Sequence, residues 1–348
     1  MGKKYKRLYG DICDMKRLEA SYLRASEGKK YSNGFLVFQE QAPANLLDIQ
    51  SRLLDQSWGP EPYRRFVIYE PKQRVIGAPS FADRIVHHSL CSIIEPIMDS
   101  TFLPSTFACR KGKGTHAGVR QVQAHMRKYG YTHFLKTDFK SFFPSINTNI
   151  LHEQYERKIS CKLTLELLRK IIPTNTTGVP IGALTSQLSA NVYGNMLDQY
   201  LHHEVRVPFT RYMDDVIVLG YDSGHLREVK CAIEDFAAER MKLSLSHWSV
   251  APVSRGVNFL GYRIWPDHKL LRKSSVVSAK KKVRTMQSRG DTEALRRFIG
   301  AWSGHIDKAD TYNLKSWMNN QYNISSILCA ERSKKRPDRD QLFESMFD

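Results

Sequence analysis

The stretch Phe209 to Gly220, Phe-Thr-Arg-Tyr-Met-Asp-Asp-Val-Ile-Val-Leu-Gly, restricts the fold of this chain more than any other. Two short runs rich in aromatic and β-branched residues flank the adjacent acids Asp214 and Asp215, which predicts a β-hairpin with the carboxylates at its tip. Asp-Asp is a poor pair for such a turn, because two-residue hairpins favour Asn-Gly or Asp-Gly with positive φ. A local rule broken inside an otherwise consistent element tends to mark function. The alternative is a surface hairpin tipped with solubilising acids, so other segments must decide.

A second acid lies at the end of a predicted strand, in Tyr131-Thr132-His133-Phe134-Leu135-Lys136-Thr137-Asp138-Phe139-Lys140-Ser141-Phe142-Phe143-Pro144. The chain then turns, and Pro144 is expected to end the local structure. A lone Asp there is usually a cap, but beside a hairpin carrying two more acids it suggests a shared centre. Three carboxylates within a few ångströms repel by roughly 1 kcal/mol per pair in water and up to about 4 kcal/mol near a protein surface. Divalent cations relieve that repulsion, and hard oxygen ligands with open positions favour Mg²⁺, which keeps water and substrate phosphate in its shell. Two such ions would activate a 3′-hydroxyl and neutralise leaving pyrophosphate.

Charge supports a polyanionic partner. The 348 residues hold 53 Lys and Arg against 35 Asp and Glu, a net charge of +18, and 41% are hydrophobic, enough for two or three lobes with real cores. Nucleic acid is the commonest such partner. An anionic membrane is the weaker alternative, since no basic stretch carries the apolar stripe of an interfacial helix. Neither the apolar core of a signal peptide nor a run of about 18 apolar residues is found. Gly2 fails as a myristoylation signal because Lys6 stands where Ser or Thr is needed. A cytoplasmic protein is expected. Cys13, Cys91, Cys109, Cys161, Cys231 and Cys329 show no zinc spacing and read as reduced, mostly packing residues.

In chain order, residues 1–60 read as helical, with Leu8, Ile12, Met15 and Leu18, then Leu46, Leu47, Ile49, Leu53 and Leu54, at helical spacings, interrupted by a Gly28–Gly34 loop. Phe66 to Tyr69 and Arg74 to Pro79 predict a hairpin from which Lys72 and Arg74 project, either merely solvated or clamping a triphosphate. A helix over Ala82 to Met98 carries His87 and His88 on different faces, so the two cannot share a metal. The loop Thr106 to His116 is no P-loop, but backbone exposed by glycine and flanked by Arg110, Lys111 and Lys113 suits phosphate-backbone contact. After Thr177 to Gln187, Leu184, Leu188, Val192, Met196 and Tyr200 predict the core stripe of a long helix, with Gln187, Asn191 and Asn195 on another face, toward substrate or water. Leu226 to Arg240 reads as a helix, Leu243 to Ser246 as a short strand, and Val257 to Ile264 as one strand with Gly261 permitting close approach. A basic helical stretch follows, with Arg272, Lys273, Lys280, Lys281, Lys282, Arg284 and Arg289, suited to gripping a duplex. The polar residues after about 325 read as flexible.

In this order, the basic hairpin around Arg74, the string Thr137-Asp138-Phe139-Lys140-Ser141-Phe142-Phe143, the Gly182-to-Ser186 turn, Tyr212-Met213-Asp214-Asp215 and Phe259-Leu260-Gly261, the chain resembles the reverse transcriptases. The resemblance implies an α+β right hand. Its parts are an N-terminal helical extension (1–60), fingers (61–130), and a palm of antiparallel sheet with packed helices (131–262) that includes a fingers segment near 150–180. A basic helical thumb (263–325) and a flexible tail (326–348) complete it. It implies catalytic metal ligation by Asp138, Asp214 and Asp215 with the Phe139 carbonyl, for two Mg²⁺ ions that Mn²⁺ can replace. Nucleotide contacts fall to Lys72, Arg74, Phe143, Ile181, Gly182 and Gln187. Template and primer contacts fall to Arg110, Lys111, Lys113, Tyr212, Met213, Phe259, Leu260, Gly261, Arg272, Lys273, Lys280, Lys281 and Lys282. Phe143 matches an aromatic steric gate that rejects a 2′-hydroxyl by clash, although a purely packing Phe is equally compatible with the string.

Most reverse transcriptases carry Gln-Gly-x-x-x-Ser-Pro where this chain has Ile181-Gly182-Ala183-Leu184-Thr185-Ser186-Gln187. That form resembles the enzymes of diversity-generating retroelements in bacteria and phages, over about residues 2–324. The resemblance implies an enzyme copying template RNA into cDNA with errors opposite adenines to diversify a target gene. It implies deoxynucleoside triphosphate substrates, an RNA/cDNA duplex product, a small basic, oligomeric accessory protein encoded nearby, and a bacterial cytoplasm as the setting, with a bacterial or phage gene. The alternatives are a faithful retron or group II intron relative and a non-catalytic RNA-binding scaffold.

Overall fold

The computed structural model describes residues 4–69 and 73–322. Gly2, Lys72, Cys329 and the tail expected over 326–348 lie outside the described residues. The chain forms two compact units, one from residues up to 122 together with 130–252, the other from 123–129 together with 253 onward.

The first unit begins with α1 (Tyr9–Cys13), α2 (Met15–Ser26), α3 (Asn33–Gln39) and α4 (Ala42–Leu54). Asp14 caps α2 by accepting from the Arg17 amide. Leu46, Ile49 and Leu53 form the buried stripe of α4, whereas Leu47 and Leu54, one position off it, are exposed. β1 (Arg64–Ile68) and β2 (Arg74–Ala78) form the expected hairpin, with Ile68 opposite Arg74. α5 (Phe81–Asp99) is capped by Ser80, and α6 (Thr115–Tyr129) follows. In α5, burial first, then neighbouring cationic groups, push His87 and His88 down to about 4. Both imidazoles are therefore neutral packing groups.

A four-stranded antiparallel sheet forms the centre, ordered β4 (Phe209–Tyr212), β5 (Asp215–Gly220), β3 (His133–Phe139) and β6 (Leu245–Pro252). The sequence reading of Leu243–Ser246 as the strand stops short, because β6 runs to Pro252 and is half exposed, so its residues lack the apolar alternation of a buried strand. Between β3 and β4 lie α7 (Phe142–Ser145), α8 (Thr148–Glu156), α9 (Lys162–Ile171) and α10 (Leu184–Tyr200), and α11 (Ser223–Arg240) precedes β6. Pro144 sits inside α7 and does not end it, since the first turn of a helix needs no amide donor there.

Strand side chains alternate between faces. Leu135, Phe139, Phe209, Val216 and Val218 join the main core with residues of α5, α8, α10 and α11. The opposite face therefore carries Lys136, Asp138, Tyr212 and Asp215. The single stripe expected for α10 is too narrow, for Thr185, Ser186, Ser189, Ala190, Asn191, Tyr193 and Asp198 are buried too. Asn191 turns to neither substrate nor water, donating instead to the Ala108 carbonyl at 2.7 Å. Cys13 and Cys91 pack inside, but Cys109 and Cys231 are exposed, and none of the described cysteines is bonded to another.

In the second unit, Val257–Ile264 is not one strand but a hairpin, β7 (Val257–Phe259) and β8 (Tyr262–Ile264), turning at Leu260-Gly261, both with positive φ. β9 (Lys269–Leu271) completes this sheet, followed by α12 (Lys273–Ser288), α13 (Thr292–Ile306) and α14 (Tyr312–Tyr322). Residues 253–262, assigned to the palm from sequence, group by compactness with this unit. From the end of α6, Gln123 and Arg127 donate to the carbonyls of Trp265 and Pro266.

Candidate active site at the hairpin

Antiparallel registration brings the acids together. Asp138 of β3 lies opposite Asp215 of β5, Tyr212 of β4 lies opposite Asp215, and His247 of β6 lies opposite Asp138. Tyr212, Asp215, Asp138 and His247 thus form one cross-strand row on the face turned away from the main core. Asp214 occupies the β4–β5 turn, while Asp215 already belongs to the strand and is not at the tip. The positive φ that the turn needs, 55°, is supplied by Met213 and by neither acid.

The β3–β6 register slips between Asp138 and Phe139. Ser246 stands at this irregularity, and its hydroxyl lies 3.1 Å from the Asp138 carbonyl and 3.3 Å from the Asp138 carboxylate. Bulges of this kind re-aim side chains next to active sites. Lys136, two residues before Asp138 and hence on the same face, donates to Asp215 at 2.9 Å. Burial, then the Asp138 carboxylate, push the Asp214 carboxyl up to about 6.

Among the described residues no group of three His, Cys, Asp or Glu side chains is arranged to hold a metal ion. The arrangement nonetheless fits one chemically. Asp214 and Asp138 are close enough to disfavour holding two negative charges, and Asp215 is compensated by an ammonium. A divalent cation would take over both compensations, and the donors are hard oxygens.

The proposed nucleotide side is assembled around two short segments. Phe142 is buried, whereas the ring of Phe143 is half-buried and meets it edge-on at 6.0 Å. Val179 N donates to the Phe143 carbonyl at 2.9 Å, tying the Thr177–Gln187 segment to α7. Two residues further on, Gly77 N of β2 donates to the Ile181 carbonyl at 2.8 Å, which fastens the strand bearing exposed Arg74 to the turn bearing Ile181. Gly182 has φ 122°, and a Cβ there would meet Ile76 at 2.9 Å and the Gly77 carbonyl at 3.0 Å. Gly182→Ala is therefore expected to lower stability by about 1–3 kcal/mol. Urea denaturation checks this, and an unchanged midpoint would contradict the close approach. Gln187 lies half-buried in the first turn of α10.

The other expected contacts divide. Lys111 is exposed, but Arg110 pairs with Asp99 and donates to the Leu103 and Thr106 carbonyls, and Lys113 donates to the Pro104 carbonyl. Arg110 is thus turned inward, binding its own loop. Tyr212 is half-buried and Met213 buried. Within the second unit, Phe259 is buried under the Leu260-Gly261 turn, Lys273 and Lys281 are exposed, and Arg272, Lys280 and Lys282 are partly covered, with the Lys280 ammonium 4.0 Å from the centre of the Trp317 ring.

Residues missed from sequence include Lys136, Ser246 and His247. Period-2 counting back from Asp138 could have found Lys136. Ser246 and His247 needed the register of β6.

The family described as Reverse transcriptase (RNA-dependent DNA polymerase) matches residues 69–264. Protein YkfC of Escherichia coli strain K12 is 25% identical over 297 aligned residues, covering 69% of this chain and 74% of that protein. The group II intron-encoded protein LtrA of Lactococcus lactis subsp. cremoris is 26% identical over 196 residues, covering 52% of this chain and 32% of that protein. The retron Ec73 reverse transcriptase of Escherichia coli is 28% identical over 180 residues, covering 46% of this chain and 54% of that enzyme. With more than half of its length matching the family, and three carboxylates gathered by the sheet inside the matched region, the chain belongs to the reverse transcriptases, the RNA-dependent DNA polymerases.

Proposed function

We propose that the chain copies a template RNA into cDNA by two-metal nucleotidyl transfer, with errors concentrated at template adenines, so that a target gene is diversified. The observation that carries the catalytic part is the pairing of Asp138 with Asp215 beside a turn that holds Asp214 against Asp138. Bound by these three carboxylates and the Phe139 carbonyl, two Mg²⁺ ions, or Mn²⁺ in their place, would activate the primer 3′-hydroxyl and offset charge on the leaving pyrophosphate. Asp214, with its carboxyl at about 6, is mostly ionised at neutral pH and can serve as a ligand there. Arg74, exposed at the start of β2, would clamp a triphosphate, and Phe143 would restrict the space under the sugar. Tyr212 and Met213 would border the primer terminus, and the exposed lysines of α12 would hold the duplex backbone. Partners are the template RNA, deoxynucleoside triphosphates and a small basic accessory protein, in a bacterial cytoplasm. No helix among the described residues is long and apolar enough to cross a membrane.

The mutagenic part rests on Ile181. An apolar side chain where related enzymes carry an amide weakens discrimination between correct and incorrect base pairs, and Ile181 is partly exposed in the middle of its segment. Ile181→Asn is expected to lower errors at template adenines severalfold, a change of about 1 kcal/mol in discrimination. Sequencing cDNA from a defined template checks it, and an unchanged error spectrum removes Ile181 as the cause. A second reading, a faithful retroelement enzyme, is favoured by the similarity to the retron and intron proteins. Primer extension on a defined RNA with Mg²⁺, with and without the neighbouring accessory protein, separates them. Adenine-directed errors support the first reading, accurate cDNA the second, and no cDNA under any condition favours a scaffold.

A further inference from the structure

On the core side of the same hairpin lies a charged pair that the chemistry above does not use. Arg211 of β4 is fully buried, and its side chain points away from the carboxylate row. Its Nε and Nη2 donate to the two Asp198 carboxylate oxygens of α10, each at 2.7 Å. Its Nη1 donates to the Met213 carbonyl at 3.0 Å. Asp198, also fully buried, accepts a further bond from Thr106 Oγ1 at 2.6 Å. The guanidinium lies against Gly194, where a Cβ would stand 2.5 Å from Nη1.

A buried ion pair is a costly way to fill a core, since apolar side chains of similar volume serve at least as well. What apolar residues cannot do is hold a carbonyl. Besides a long 3.5 Å bond to the Asn191 carbonyl within α10, Arg211 holds the carbonyl of Met213, whose left-handed backbone is disfavoured for a residue with a side chain and which shares its peptide with Asp214. The planar fork reaches Asp198 and that carbonyl together, which a lysine ammonium cannot reproduce. We propose that Arg211, anchored by Asp198, is a positioning residue. It locks the Met213–Asp214 peptide so that the Asp214 carboxylate stays aimed into the catalytic row. This inference rests on the polymerase reading.

The test uses the full chain and single-nucleotide addition to an RNA-templated primer. Arg211→Met combined with Asp198→Asn removes both charges at once and leaves Thr106 its acceptor. This variant is expected to melt within a few degrees of the unaltered chain and to bind the duplex within twofold. Its maximal rate of addition is expected to fall 10- to 100-fold, the scale of a misplacement near 1 Å, while KM for the nucleotide stays within twofold. Arg211→Lys is expected to fall between the two. A folded double variant that keeps the unaltered rate makes the pair mere packing and overturns the proposal. If the double variant does not fold, Arg211→Lys, read below its melting temperature, decides between the same outcomes. No synthesis by the unaltered chain overturns the polymerase reading as well, whereas normal synthesis by an active double variant overturns this inference alone.

Discussion

Asp214→Asn is expected to abolish cDNA synthesis, by at least about 10³-fold or 4 kcal/mol of transition-state stabilisation, while making the folded chain more stable. Both effects come from the same crowding. The carboxyl titrates at about 6 in the fold against an ordinary 3.8. Because the folded value is raised, the fold binds the proton more tightly than the unfolded chain does. Stability therefore falls as pH rises from about 4 to about 6, and the loss persists above that window, amounting to at most about 3 kcal/mol. Asn removes the charge and so removes the loss. Without divalent cations, the variant should melt a few degrees higher at pH 7.5 and no higher at pH 4. Divalent cations should raise the melting temperature of the unaltered chain and close the gap. A variant that still extends primers, or that melts no higher at pH 7.5, would remove Asp214 from its assigned place.

Phe143→Ala is expected to let ribonucleotides in. The ring is half-buried and its neighbour Phe142 carries the packing, so truncation opens space without emptying the core. A rejection based on steric clash is worth about 1–3 kcal/mol, so the preference for deoxynucleotides should drop by about 10- to 200-fold. Extension assays with each nucleotide type give that ratio directly. An unchanged preference would leave Phe143 as packing, and strong ribonucleotide use by the unaltered chain would make it an RNA polymerase.

The cluster of carboxylates was legible because its parts obey strong local rules. Asp138 follows a run of strand-forming residues, and Asp214 with Asp215 interrupts a hairpin between two such runs. What local rules do not carry is the other side of each contact. β6 was read too short because a half-exposed strand holding His247 and Trp248 has no clear alternation, and with it went Ser246 and His247 as neighbours of Asp138. α10 was read as one-sided because a buried Asn or Asp looks, in sequence, like a solvent-facing one. Arg211 was the available warning, a charge inside an apolar strand, which demands a buried partner. Within the basic loop Arg110 misled in the opposite sense, since it spends its donors on Asp99 and two carbonyls.

β3 lies between two strands that come much later in the chain, β5 and β6. Asp138 therefore leaves the ribosome with neither neighbour made, and its strand keeps one edge open until β5 is complete at residue 220 and the other until residue 252 is synthesised. At about 5–20 residues per second, that wait is roughly ten seconds. Long-range pairing of this kind is slow to form and exposes unpaired strand edges to aggregation meanwhile. The same order has a protective side. A polypeptide cut short before the hairpin has Asp138 but neither Asp214 nor Asp215, so under the proposed mechanism such a fragment cannot write DNA.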